Sequence, residues 1–458
     1  MNFIAICLHC LDMRDFHSHA RDTPFLDSLR SRSVFIPMGR GQGHHQGDSL
    51  NAELTGIWTP RYSDSTLERT GFKGSTRCWL PKTVIEYLQE CDYEIHTCIT
   101  YDPRSKLGTA AVQGGMQKVW LKEEPERLMQ FSLPEKMSRS EWLDKIRESK
   151  RFYAHMFVRQ THRPWSQFRE LAALMDMKTR VKGMLRKRDW PYDAYCARRA
   201  ALEEPDRFAA LRREGLARAD RIVAEIFEAT RDMEDLTYIV YSNHGEVFDH
   251  FRYHQAYTHS TVEGLKMIEG TSHGNFPYEV LYANMQMWIM PNQPPKVMKG
   301  IGRSIDFTPT ILDLASIQQK HMDGKSMLGF FAEGAFPARD RYAEAPLGGG
   351  CLSMVREDGF KLIAVGEKEK DEDTILAQRG FANHQLAVFD LNSDPYEYVN
   401  LIDTLQGQDV LALAISKHRD LKEEGWEKSP RRYRSANGPP RSKIVPCPVT
   451  GKAISSSE

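Results

Sequence analysis

The side chains best suited to chemistry in this chain stand just beyond apolar runs. His9 follows Phe3-Ile4-Ala5-Ile6-Cys7-Leu8, His162 comes soon after the run Phe152 to Val158, and Asn243 and His244 come soon after Leu236 to Tyr241. A neutral imidazole can bind a transition-type cation or carry a proton. An amide oxygen, such as that of Asn243, can coordinate without contributing charge. His44, His45, Gln46 and Asp48 lead into Ser49, behind Gly41-Gln42-Gly43. Ser49 is either a nucleophile, with His44 or His45 as base or ligand, or a helix N-cap. Gly41 to Gly43 offers backbone that could cradle an anion. Asp12 and His273 complete the set. His250, His254 and His259 fall in a histidine-rich stretch read as a surface loop.

These positions can meet only if the runs before them lie side by side. Strand candidates are Phe3 to Leu8, Tyr93 to Ile99, Phe152 to Val158, Leu236 to Tyr241 and Met285 to Met290. Helical patterns lie between them: Thr23 to Arg32 with Pro24 near its start, a segment ending at Leu54 that Gly56 would cap, Val84 to Cys91, Ala200 to Thr230, and a helix over Asp306 to Leu314. Such alternation implies an α/β fold with a mostly parallel sheet covered by helices on both faces. Ligands of such sheets bind beyond the carboxyl ends of the strands, where His9, His162, Asn243 and His244 would fall. Later the pattern changes to short strands within Cys351 to Val365, a strand and turn over Ala387 to Pro395, and a helical stretch from Leu411 to Trp426. The expected organisation is an α/β domain over 1–335, a small C-terminal α+β subdomain over 336–428, and a flexible tail over 429–458, rich in Pro, Arg, Ser and Lys.

Composition narrows the function classes. Basic and acidic residues number 62 each and cancel, so no global charge points to nucleic acid or a membrane surface. The basic run Lys178 to Arg188 reads as a solvated helix face. Apolar residues are 41% and charged residues 27%, which suits a globular chain with a substantial core. No stretch reaches the roughly 18 apolar residues of a membrane span. The N-terminal run is short and turns polar at His9, unlike a secretory signal, and the expected location is the cytoplasm. The scattered cysteines suit reduced, buried thiols. Cys7 and Cys10 form a C-x-x-C, but on a continuous strand they would point to opposite faces, which argues against a redox or zinc role.

In chain order, these segments resemble the elements of one family. Thr161-His162-Arg163-Pro164-Trp165 resembles T-H-x-P-W, Ser242 to Glu246 resembles S-D-H-G-E, and His273-Gly274 with Tyr278-Glu279 resembles H-G-x-x-x-Y-E. Ser304 to Leu314 resembles D-I-x-P-T-L-L-D-L, and Asp323-Gly324-Lys325-Ser326 resembles D-G-x-S. Phe389 to Glu397, with Asn400-Leu401, resembles Y-D-L-x-x-D-P-x-E…N-L, while Thr23 to Leu29 and Leu54-Thr55-Gly56 match two N-terminal elements. Over residues 1–401 the chain thus resembles the sulfatase branch of the alkaline phosphatase superfamily. The resemblance implies a divalent cation, held by carboxylates and histidines at strand ends, that polarises a sulfate or phosphate ester oxygen. It also implies a nucleophile at a helix N-terminus and histidines that stabilise charge or protonate the leaving group.

At the active-site positions this chain departs from the family. Aligning Ile6 to Asp12 on I-S-L-D-x-L-R puts His9 on the metal-binding aspartate and Asp12 on the arginine; a shifted alignment puts Asp12 on the second aspartate of D-D-x-R. Asn243 stands for the aspartate of S-D-H-G-E, beside the retained His244. Counting ten residues back from Gly56 puts Gln46 where the family has its Cys, Ser or Thr, and Asp48 and Leu50 replace the motif's proline and arginine. Formylglycine-dependent sulfatase chemistry is thereby excluded. Gly47 to Leu54 also resembles G-K-T-S-D-A-E-F of the lipoteichoic-acid-synthase-like phosphotransferases, which would put Ser49 in the attacking position. The resemblance therefore implies catalytic roles for Ser49, His162 and His273. It implies a divalent metal, zinc or manganese rather than calcium, on His9, Asn243 and His244, with Asp12, His44, His45, Gln46 and Asp48 nearby. The expected function is a metal-dependent hydrolase or transferase of sulfate or phosphate esters, acting on a small-molecule, glycan or lipid ester. The alternative is an inactive protein of this fold that binds a ligand or partner through the former cleft.

Overall fold

Side chains of the N-terminal strand alternate between two apolar layers, and that alternation organises the molecule. In the structure, a computed structural model, β1 (Asn2–Leu8) sends Phe3, Ala5 and Cys7 into one core and Ile4, Ile6 and Leu8 into the other. The structure describes residues 1–11, 22–43, 46–58, 82–100, 139–161, 205–246, 278–318, 322–345, 351–365, 386–413, 416, 445–446 and 453–454. After β1 the strands are β2 (Val34–Arg40), β3 (Glu94–Thr100), β4 (Phe152–Val158), β5 (Leu236–Tyr241), β6 (Ala283–Ile289), β7 (Lys296–Val297) and β8 (Gly302–Arg303). They form one sheet in the order β3-β4-β1-β5-β6-β2-β7, with β8 also on β2. The run β3-β4-β1-β5 is parallel, and β6 runs antiparallel between β5 and β2.

The α-helices up to residue 333, in chain order, are α1 (Pro24–Leu29), α2 (Gln46–Thr55), α3 (Val84–Gln89), α4 (Arg139–Glu148), α5 (Pro205–Ala229), α6 (Glu279–Tyr282), α7 (Phe307–Leu314) and α8 (Leu328–Glu333). Leu50 and Leu54 of α2, Val84 and Leu88 of α3, Ile311 of α7 and Phe331 of α8 pack on one face of the sheet. Leu26 of α1, Trp142 of α4 and Val223 and Ile226 of α5 pack on the other. A sheet buried on both faces accounts for the nearly continuous apolar runs of β1, β4 and β5. A capping box starts α3, where Thr83 and Glu86 satisfy each other's backbone amides. Gly56 ends α2 at φ 68, and its carbonyl accepts the amides of Asp323 and Gly324, each at 3.0 Å. Two motifs far apart in sequence thereby meet. Strand β2 has no counterpart among the expected strands. Pro37 and Gly39 interrupt its pattern, and its register on β6 shifts between Ile36 and Gly39.

A second sheet follows: β9 (Arg341–Ala345), β10 (Cys351–Val355), β11 (Phe360–Val365) and β12 (Leu386–Asp390), antiparallel in the order β12-β11-β10-β9. Met354, Leu362 and Val388 of this sheet pack with Trp58, just past α2, and Ile305, just past β8. A buried ionic clasp adds to that contact. Glu279 Oε2 takes Arg40 Nε at 2.9 Å and Arg341 Nη1 at 3.0 Å, while Lys361 Nζ lies 2.6 Å from Glu397 Oε1 and 3.3 Å from Glu279 Oε1. Burial alone would raise the Glu279 carboxyl, but Arg341, Lys361 and Arg40 outweigh it and hold it well below the usual range. Burial pushes Glu397 up to about 7, with Lys361 opposing.

The expected helix over Leu411 to Trp426 is seen as helix across 405–413, and most of the rest lies outside the described residues. Within the stretch expected as a flexible tail, β13 (Val445–Pro446) pairs antiparallel with β14 (Ala453–Ile454), and most of the remaining residues there lie outside the described ones. Among the described residues no helix is long and apolar enough to cross a membrane.

Candidate functional site

At the carboxyl end of β1 the chain turns instead of continuing as a strand. The His9 amide still donates to Val158 O at 3.1 Å, and the Thr161 hydroxyl donates to His9 O at 2.6 Å. Cys10 then adopts a left-handed backbone, φ 61, a conformation that costs a non-glycine residue about 1–2 kcal/mol. Its amide donates to Asn243 Oδ1 at 3.3 Å, and the same oxygen accepts the His244 amide at 3.0 Å. Asn243 thus ties the ends of β1 and β5 together. His244 Nδ1 lies 2.8 Å from Gly245 O, which can only accept, so Nδ1 donates there and in the neutral ring the lone pair is on Nε2. That Nε2 is 3.5 Å from Cys10 Sγ. The His9 and His244 rings meet edge to face, centroids 5.2 Å apart. Ligand atoms of His9, Cys10 and His244 all lie within 4.8 Å of one another, and all three residues are buried.

Two expected roles change with this geometry. The Asn243 oxygen already accepts two backbone amides, so it orients the site and leaves no lone pair for a cation. Ser49 is not a helix N-cap: α2 begins at Gln46, and the Ser49 hydroxyl donates back to Gly43 O at 2.6 Å. It is fully buried. Nor do Gly41 and Gln42 form an open cradle. The Gly41 amide donates to Tyr282 O at 2.8 Å, and Gln42 Oε1 accepts the Ile305 amide at 2.7 Å. Gly41 is there because nothing larger fits: a Cβ would stand 2.6 Å from Asn243 O. Gln46 opens α2; its side chain, that of Asp48, and all of Asp12, His44, His45, His162 and His273 lie outside the described residues.

Behind this end of the sheet lies a buried titratable cluster. Glu53, one helical turn past Ser49, is fully buried, and neither carboxyl oxygen makes a hydrogen bond of normal geometry among the described residues. Burial pushes its carboxyl well above the usual range, and the Tyr241 hydroxyl offsets only part of that. Tyr241 Oη is 3.1 Å from His155 Nε2, and Tyr153 Oη is 3.3 Å from His155 Nδ1. Burial pushes His155 down to about 3, so the ring is neutral. An acid whose folded pKa is raised stabilises fully below its ordinary value near about 4.3. That contribution is lost at about 1.4 kcal/mol per pH unit as pH rises toward the folded value. Glu53→Gln, neutral throughout, is therefore expected to be more stable than the parent at about pH 8 and similar to it near about pH 4. Urea midpoints across that range test this; a variant no more stable at the alkaline end removes the buried-acid account.

No protein-family model matches the sequence, and no curated protein matches it. Solved structures do. A protein solved with its substrate D-glucosamine-2-N,6-O-disulfate superposes with TM-score 0.57 at 15% identity, over 93% of this chain and 99% of that one. A phosphonate monoester hydrolase of Agrobacterium radiobacter gives 0.56 at 14%, over 93% and 96%. A 2-O GAG sulfatase gives 0.57 at 12%, over 93% and 92%. The fold is the one these solved structures share.

Within this fold, His9, Cys10 and His244 occupy the strand ends where the sequence resemblance implies a cation. Cys10 was not among the expected site residues. A continuous strand would point its thiol away from that of Cys7, but β1 ends at Leu8 and the turn redirects the thiol toward His244. The signal that could have found it was position, because it is a polarizable side chain directly after a parallel strand.

Proposed function

We propose that this protein is a hydrolase of sulfate or phosphate esters that works with a divalent cation at the ends of β1 and β5. The observation supporting this is the convergence of His9, Cys10 and His244 there, on a fold whose solved relatives include a 2-O GAG sulfatase and a phosphonate monoester hydrolase. The donor set decides which cation suits it. Calcium and magnesium want an oxygen cage, and the Asn243 oxygen is already taken. Imidazole nitrogens fit a borderline divalent ion. When bound, the cation would supply Lewis-acid polarisation of an ester oxygen.

The chain's own residues would do the rest. His244, aimed by Gly245 O, presents Nε2. Asn243 Nδ2 is buried with no partner among the described residues, and is an N–H the site has left to offer a sulfate or phosphate oxygen. His162 and His273 keep their implied role of stabilising charge on the departing group. Ser49 holds the 41–43 loop against α2, so the attacking group in this reading is water.

A panel of aryl sulfate, phosphate and phosphonate esters tests this. Ser49→Ala is expected to keep turnover within about tenfold of the parent, the scale of a lost positioning hydrogen bond. A fall of about a thousandfold or more would make Ser49 the nucleophile instead. A second reading, ligand binding without turnover, is favoured by Gln46 at the start of α2 and by the full burial of Ser49. No turnover of any ester by the metal-loaded parent would leave that reading in place.

A further inference from the structure

The donor chemistry at the end of β1 goes beyond what the resemblance implies. We propose that Cys10 is the thiolate ligand of a zinc-class cation that it holds with His9 and His244, so that a nitrogen–sulfur set has replaced the family's oxygen cage. The proposal rests on the reading of this site as a cation site and adds the ligand and the metal class.

Four observations carry it. First, the three donors converge: their ligand atoms lie within 4.8 Å of one another. Second, the separation has the right size. Zinc holds sulfur at about 2.3 Å and imidazole nitrogen at about 2.0–2.1 Å, and at a tetrahedral angle two such ligands stand about 3.5 Å apart. Cys10 Sγ and His244 Nε2 are 3.5 Å apart. Third, the imidazole is already oriented. The Nδ1 hydrogen bond to Gly245 O turns the Nε2 lone pair toward the thiol. Fourth, the backbone is bent to deliver the sulfur. Cys10 is held at φ 61, with its amide on Asn243 Oδ1 from 233 residues away. A residue kept in that conformation by a distant partner is a recurrent mark of a site.

A plain S–H···N hydrogen bond between Cys10 and His244 would also span 3.5 Å. The proposal differs from that bond by including His9, whose ring crosses that of His244 at a centroid distance of 5.2 Å. One thiolate and two neutral imidazoles bring a single negative charge. Such a set selects by softness and geometry, not by charge count, and so disfavours calcium and magnesium.

The test uses the full-length protein. Purified chain is expected to carry about one equivalent of a zinc-class ion by elemental analysis. Exchanging that ion for cobalt(II) is expected to give visible bands of four-coordinate cobalt together with a near-ultraviolet thiolate-to-cobalt band. Cys10→Ser is expected to lose the near-ultraviolet band and at least a hundredfold in zinc affinity, measured against a chromophoric chelator; Cys7→Ala keeps both. Circular dichroism checks that each variant is folded. Should Cys10→Ser fail to fold, the cobalt spectrum of the parent decides alone. A parent that takes up cobalt with no thiolate band, that binds no zinc-class ion, or that prefers calcium overturns the proposal. None of these readouts uses ester turnover. A chain that binds zinc through Cys10 and hydrolyses nothing removes the hydrolase reading and keeps this one. A chain that hydrolyses esters with calcium, without the thiolate band, does the reverse.

Discussion

Lys361→Met is expected to destabilise the folded chain by about 3–5 kcal/mol, the scale for removing one partner of a buried ion pair. Lys361 is fully buried, with its ammonium 2.6 Å from Glu397 Oε1 and 3.3 Å from Glu279 Oε1. Methionine nearly fills its volume, so cavity formation contributes little and the loss reports on charge. Glu279 keeps Arg40 and Arg341. Glu397 loses the ammonium that lowers its pKa and keeps the amide of Glu279, at 2.8 Å, and the more distant charge of Arg341.

The loss should depend on pH, and the direction follows from Glu397. In the parent, burial raises that carboxyl to about 7. A raised acid stabilises below its ordinary value near about 4.3 and loses that contribution as pH rises through its folded value. Without Lys361 the folded value moves further up, so the variant goes on losing stability after the parent has stopped. The gap between the two should be wider at about pH 8 than near about pH 5, growing by up to about 1.4 kcal/mol per pH unit above the parent's folded value. Chemical denaturation at both values measures it. A gap below about 1 kcal/mol at the alkaline end, or one that shrinks with rising pH, would refute the clasp as the joint between the two sheets.

The second large effect belongs to Asn243. Asn243→Leu keeps the volume but removes the oxygen that accepts the amides of Cys10 and His244. Each buried amide left without an acceptor costs about 1–3 kcal/mol, and the longer bond to Cys10 sits toward the low end. A total near 2–4 kcal/mol is expected, about the sum of those two terms. The functional loss should be larger than stability alone explains. Both residues flanking the lost bonds are proposed ligands, and removing a group that orients metal ligands costs about 10–100-fold in metal affinity. Asn243→Asp is the informative companion. It keeps the acceptor and adds a charge, so cation affinity should equal or exceed that of the parent. Chelator competition on both variants provides the comparison, and an Asn243→Leu protein that binds zinc as the parent does would disprove the orienting role.

Much of the fold was legible in residue order. The runs that form β1, β4 and β5 are apolar almost throughout because both faces of the sheet are covered, and such runs announce themselves without a partner in view. β2 was hidden because Pro37 and Gly39 break its pattern, and a bulge in β2, facing β6, absorbs the break. The ionic clasp was hidden for another reason. Arg40, Glu279, Arg341, Lys361 and Glu397 are ordinary charged residues in sequence, and only the docking of the second sheet strips them of water.

The candidate site divides along the same line. Sequence by itself determined that histidines follow β1 and β5, that Gln46 stands where the resemblance implies a nucleophile, and that the carboxylates implied at residues 9 and 243 are absent. Tertiary structure alone decided which atoms face one another. Whether Cys10 points with or against its strand depends on a left-handed turn held by Asn243 from 233 residues away. Whether Ser49 caps a helix or pins a loop depends on where Gly43 O lies. Both outcomes turn on single hydrogen bonds between non-adjacent backbone and side-chain groups, and the spacing of residue types along a chain carries no record of those.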